Sequence, residues 1–137
     1  MTDLTQIAVG DELPALTIDV DRARLIRYAG ASGDFNVIHW DERFATSVGL
    51  PDVIAHGMWT MGAAGEIVVR WIGDASRITG YSTRFSAPLP VPYDGGAQVE
   101  VTGVVKSIED GLATVDLTAT SGGSKVLAKT SVTVSLA

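Results

Sequence analysis

Asp34 and His39 stand five residues apart in the stretch Gly33-Asp34-Phe35-Asn36-Val37-Ile38-His39, and His56-Gly57-Met58 follows seventeen residues on. His39 and His56 are the only two histidines of the chain. A carboxylate and an imidazole held together can take a proton from water and return one to carbon. A glycine N–H at a helix start can meet a developing anion. Those parts suit the movement of water across a polarised double bond.

The elements that must position them can be read from pattern. Leu16 to Val20 alternates and predicts a short strand. Asp21 predicts an N-cap for a helix through Leu25, Ile26 and Tyr28 that ends near Gly30, where glycines and small polar residues follow. Asp41 opens a second short helix with Phe44, Ala45 and Val48 on one side, stopped at Gly49. From Gly57 an apolar helix extends to Trp71, and its Gly62 and Gly65 suggest that something packs close to its backbone. The second half is strand-like over 77–85, 97–107, 112–120 and 125–134. It is punctuated by Pro88 to Pro92 and by turns at Gly95-Gly96, Asp110-Gly111 and Gly122-Gly123. A buried helix followed by an antiparallel meander is an α+β layout, with the sheet curled around the helix.

Composition narrows the function classes. At 137 residues with 46% hydrophobic, one domain over 1–137 with a real core is expected. The balance of 10 basic and 16 acidic residues, net −6, argues against nucleic acid as the main partner. No cysteine is present, which removes disulfides, thiolate metal sites and thiol nucleophiles. The first ten residues hold no apolar run of the kind a signal peptide needs. The apolar stretch 57–73 is interrupted by Glu66 and Arg70 and is shorter than the ~20 residues a membrane helix requires. A cytoplasmic protein without a membrane partner is expected.

The loop Tyr28-Ala-Gly-x-Ser-Gly-Asp34, the segments Ile38-His-Trp-Asp41 and Ile54-Ala-His-Gly-Met58, and Val91 to Gly95 together resemble the MaoC-like hotdog family. That family contains (R)-specific enoyl-CoA hydratases and (3R)-hydroxyacyl-ACP dehydratases, and the likeness is strongest to the catalytic subunit of the mycobacterial-type dehydratase. The resemblance spans nearly the whole chain. It implies a hotdog fold, Asp34 and His39 as the catalytic dyad, Gly57 as the oxyanion-hole donor and Asn36 as the loop asparagine. It implies no cofactor. The partners it implies are an enoyl or 3-hydroxyacyl thioester of CoA or acyl carrier protein, and a homodimer or a heterodimer with a second hotdog subunit. Two positions depart from the pattern. Val37 stands where proline is usual, which loosens the loop in principle, and Gly65 stands where some relatives carry serine.

Several residues admit plainer roles. His56 is expected to support the turn before the helix rather than react. Asp34, His39 and His56 match no standard metal spacing, so no metal is expected. Trp40, Trp59 and Trp71 read as core or dimer contacts, and Thr60 and Met61 as core residues able to line an acyl tunnel. Arg84 and Lys106 are able to meet substrate phosphates, but solvated surface charge is the better expectation. Glu66 on the long helix raises the alternative of a hotdog thioesterase. A non-catalytic partner subunit is the third reading.

Overall fold

Alternation in the second half is realised as a meander of long strands around one apolar helix. The computed structural model describes residues 2–137. In chain order it contains β1 (Glu12–Val20), α1 (Arg22–Ser32), α2 (Glu42–Ser47), α3 (Gly57–Ile72), β2 (Ile78–Phe85), β3 (Ala97–Glu109), β4 (Leu112–Ser121) and β5 (Ser124–Ser135). All pairings are antiparallel, and the strands form one sheet in the order β1-β3-β4-β5-β2. This is the α+β hotdog layout.

Strand periodicity decides which face turns to the helix. Val99, Val101, Gly103 and Val105 of β3, Val115 and Leu117 of β4, and Val132 and Val134 of β5 are buried, while the residues alternating with them are more exposed. Against them α3 lays Ala64, Ile67, Val68, Trp71 and Ile72. Gly65 shows why this helix carries glycine. A Cβ there would stand 2.9 Å from the Tyr81 ring of β2. Gly62 has open space at the same position, so only one of the two glycines is demanded by close packing.

Caps fix the other helices. The Asp21 carboxylate accepts from the Arg24 N–H at 2.8 Å, and Gly33 closes α1 in the left-handed conformation at φ 76°. The helix therefore runs past Gly30 to Ser32, further than the glycine-rich composition suggests. Asp41 caps α2 through the Arg43 and Phe44 N–H groups. Only Ala45 of its apolar side is buried; Phe44 and Val48 are exposed. β1 is also longer than its alternating core, because a bulge between Leu13 and Leu16 lets it continue along β3. No helix among the described residues is long and apolar enough to cross a membrane.

Candidate active site

The loop after α1 is built from short-range hydrogen bonds that aim its side chains. Ser32 Oγ donates to the Tyr28 carbonyl at 2.7 Å and accepts from the Asp34 N–H at 3.2 Å. Asp34 Oδ1 accepts from the Asn36 N–H at 3.1 Å, and Asn36 Oδ1 accepts from the Ile38 N–H at 3.3 Å. The Val37 carbonyl then accepts from both Trp40 and Asp41 N–H groups. The single turn Val37–His39 is thus closed with Val37 in the place where proline is usual in the family.

With Oδ1 engaged, Asp34 presents Oδ2 to His39, 3.8 Å from Nε2. The carboxylate is half-exposed and the imidazole is buried. His39 Nδ1 lies 2.7 Å from the Ile54 carbonyl, which has no proton of its own, so Nδ1–H donates and Nε2 keeps its lone pair toward Asp34. Burial is the main cause that holds the His39 pKa below its ordinary 6.5, with a smaller lowering from His56; the Ile54 bond and Asp34 oppose it. His39 is accordingly a neutral base at neutral pH.

His56 lies under both groups. Its ring stacks on that of His39 with centroids 3.8 Å apart and planes 22° apart, and Tyr28 meets it edge-on at 4.8 Å. Nε2–H donates to the Asp34 carbonyl at 3.0 Å, which leaves the buried Nδ1 without a partner. The ligand atoms of Asp34, His39 and His56 all lie within 4.8 Å of one another. The stack nevertheless sets the two imidazoles face to face, with one nitrogen of each spent on a carbonyl. The nitrogens that remain belong to stacked, nearly parallel rings, and the set fits a metal poorly.

Directly after His56, Gly57 begins α3. His56 makes no side-chain cap hydrogen bond at this end. Gly57 lines the cavity beside His39, and the positive end of a sixteen-residue helix lies at this terminus. A Cβ at Gly57 would stand 2.9 Å from the Phe85 ring. Next to these groups a cavity of about 230 Å³ is lined by His39, Gly57, Thr60, Phe85, Leu89 and Val126, among others. Thr60 is buried there, its hydroxyl bonded to the His56 carbonyl at 3.2 Å.

The structure therefore brings Asp34, His39, Asn36, His56 and Gly57 into one cluster. Other candidates fall elsewhere. Met61 does not line the cavity; its carbonyl accepts from the Tyr81 hydroxyl. Glu66 is half-exposed and paired with Arg70 at 3.0 Å, away from the dyad's cavity. Lys106 faces Asp116 at 3.7 Å on the sheet, and Arg84 does not line the cavity. Trp59 and Trp71 are core residues, whereas Trp40 is 47% exposed, its Nε1–H donating to the Phe35 carbonyl at 3.0 Å. Phe85 and Leu89 went unforeseen: they reach the site from β2 and the segment behind it, and no local pattern links them to the loop.

Fold and cluster together define a class. The MaoC-like domain model matches residues 5–122, and the chain belongs to that family. A solved structure described as a MaoC-like dehydratase superposes with a TM-score of 0.95 at 40% identity, covering 98% of this chain and 42% of the other. The 3-hydroxyacyl-thioester dehydratase X of Mycobacterium tuberculosis is 38% identical over 86 residues, 63% of this chain and 30% of the relative. The 3-oxo-4,17-pregnadiene-20-carboxyl-CoA hydratase beta subunit of the same organism is 30% identical over 107 residues, 78% of this chain and 80% of the relative. The chain thus spans under a third of the length of dehydratase X.

Proposed function

We propose that this chain, as one hotdog domain over 1–137, is an (R)-specific enoyl-thioester hydratase and (3R)-hydroxyacyl-thioester dehydratase. The observation that carries the reading is Asp34 Oδ2 facing the lone pair of neutral His39 Nε2 beside the start of α3. A water held between the two side chains loses a proton to this pair as its oxygen bonds C3 of the enoyl thioester. The electron pair of the C2–C3 double bond shifts toward the thioester oxygen, where the Gly57 N–H meets the charge. The pair then returns a proton to C2 on the same face, and reversal of every step expels water. The donor is worth about 3–4 kcal/mol in such sites, and positioned proton transfer roughly 10²–10⁴-fold. Both relatives named above carry hydratase or dehydratase names, in keeping with this chemistry.

Loss of the enoyl-thioester chromophore on adding protein is the direct assay. Asp34→Asn and His39→Gln each keep shape and are expected to lower kcat by about 10²-fold or more. Full activity in both variants would refute the assignment. Glu66, turned away from the cavity and paired with Arg70, gives no support to a thioesterase.

Assembly with a second hotdog subunit, identical or different, belongs to the same reading. Phe35, Met58, Phe85 and Tyr93 are all more than half exposed, and β1 and β2 are the sheet's two edges. Sedimentation of the purified chain distinguishes the cases: a stable dimer supports a homodimer, and a monomer that gains activity with a co-purified subunit supports a heteromer.

A further inference from the structure

Arg22 stands in the first turn of α1, where a cation opposes the helix dipole. What it reaches explains its place. Its Nε–H donates to the Val91 carbonyl at 2.5 Å, and one terminal nitrogen donates to Asp52 Oδ1 at 2.7 Å and to Glu42 at 2.5 Å. The Arg22 and Asp52 side chains are only 21% and 25% exposed, whereas Glu42 is half-exposed. The guanidinium thus joins two segments far apart in the chain, at Asp52 and at Val91.

Those segments flank a short strap, Val53-Ile54-Ala55. Asp52 Oδ1, the oxygen that Arg22 holds, also accepts from the Val53 N–H at 2.8 Å. The Val53 carbonyl accepts from the Val91 N–H, and the Ala55 N–H donates to the Leu89 carbonyl, both at 2.9 Å. Between them Ile54 bridges Pro90, which has no N–H to give. Val91 is therefore held on both of its polar groups, by the strap on one and by Arg22 on the other. On its far side the strap meets the reacting loop. The Ile54 N–H donates to the Ile38 carbonyl at 3.1 Å, and the Ile54 carbonyl accepts from His39 Nδ1–H at 2.7 Å. Ile54, Ala55 and Leu89 also wall the cavity, while Arg22 lies outside its lining.

We propose that Arg22 is a positioning residue: by clamping Asp52 to Val91 it fixes the Ile54 carbonyl, and through that carbonyl the orientation and tautomer of His39. Its effect on rate rests on the hydratase–dehydratase reading; its effect on the imidazole does not. Arginine suits the task because its rigid fork grips two acceptors at once, which the single ammonium of lysine does not. The two histidines supply an internal comparison. His39 carries its proton on Nδ1, toward Ile54, and His56 carries its own on Nε2, toward Asp34. Only the first of these bonds runs through the strap.

The test reads the ring nitrogens by NMR of the full chain labelled with 15N-histidine, at about pH 8, above the ordinary histidine pKa. His39→Gln assigns the two signals. Wild type is expected to show opposite tautomers, Nδ1–H for His39 and Nε2–H for His56. Arg22→Met is expected to average the His39 pattern, leave that of His56 in place, and lower kcat for an enoyl thioester about tenfold. Glu42→Gln, which removes only the half-exposed ion pair, is expected to leave the His39 pattern alone and kcat within about twofold. If Arg22→Met does not fold, Arg22→Lys decides on the same two readouts. An unchanged His39 pattern in the Arg22 variant overturns the proposal, and so does a change that strikes both histidines equally, which marks general loosening. A Glu42→Gln variant that matches the Arg22 variant overturns it too. A wild type that turns over no enoyl thioester refutes the hydratase reading, while the tautomer pattern, which needs no substrate, still decides the role of Arg22.

Discussion

His56 is the residue whose replacement separates fold from reaction most cleanly. It is buried, stacks on His39, and ties down the Asp34 carbonyl through a 3.0 Å hydrogen bond. His56→Phe keeps an aromatic ring in the stack but withdraws the donor. The lost bond costs about 1 kcal/mol, and removing an unpartnered buried nitrogen returns a similar amount. Stability should therefore change by under about 1 kcal/mol, a shift in Tm of no more than about 5 °C for a chain of this size. Activity should respond very differently. This bond ties Asp34 itself to the protein beneath, where the rest of the loop is held by the bonds of Ile38 and His39 to Ile54, and a displacement of about 1 Å at a reacting group costs on the order of 10²-fold. His56→Gln does the reverse: its amide can donate to the same carbonyl, but it abandons the stack and leaves a void. The expected order of kcat is wild type, then Gln, then Phe. The expected order of Tm places Phe above Gln. Paired kinetics and thermal melts read both orders. A Phe variant with wild-type kcat would refute the claim that the bond to Asp34 positions the carboxylate, and identical orders in the two measurements would reduce His56 to a packing residue.

Other expectations follow from the same geometry. The His39 pKa lies below 6.5, chiefly through burial, so protonation favours the unfolded chain. Stability should be full above pH 6.5 and decline as the pH falls toward the folded pKa; kcat of the wild type should fall only as the pH drops through that lowered value, and a hydratase profile that already drops above pH 6.5 would contradict a neutral His39 base. Gly57→Pro removes the N–H at the first position of α3, where proline is tolerated, and the extended His56 backbone at φ −61° and ψ 133° accepts it. To relieve the ring of Phe85 it is best made with Phe85→Ala, and relative to Phe85→Ala alone it should lose about 10²-fold or more in kcat with helix content intact by circular dichroism. Gly65→Ala should destabilise by about 1–3 kcal/mol because of the Tyr81 ring at 2.9 Å, whereas Gly62→Ala, facing open space, should stabilise by up to about 1 kcal/mol in denaturant titrations. Glu66→Gln should leave hydration and thioester hydrolysis unchanged, as measured by chromophore loss and free thiol release.

What is legible in the sequence is what local chemistry dictates. Asp21 and Asp41 announce caps because a carboxylate there satisfies first-turn N–H groups, and the strands after Arg77 announce themselves by β-branched alternation. Asp34, His39 and Gly57 were legible as a set because the motif carries them on two short segments. The remainder depends on contacts between segments far apart in the chain. The tautomer of His39 is set by the Ile54 carbonyl, and Ile54 is itself held by an isolated bridge to Pro90. Gly57 owes its missing side chain to Phe85, which arrives from the end of β2. Nothing in either neighbourhood encodes the other. Val37 makes the converse point. Proline would stiffen that loop by fixing φ, and its absence suggested slack. Instead the Asp34 and Asn36 side chains and the Val37 carbonyl close the turn by hydrogen bonds, and the Trp40 indole fastens it to Phe35. The restraint that proline would place in one ring is here distributed over several weak bonds. It follows that Asn36→Ala should loosen this loop more than the same change would in a relative with proline after the asparagine.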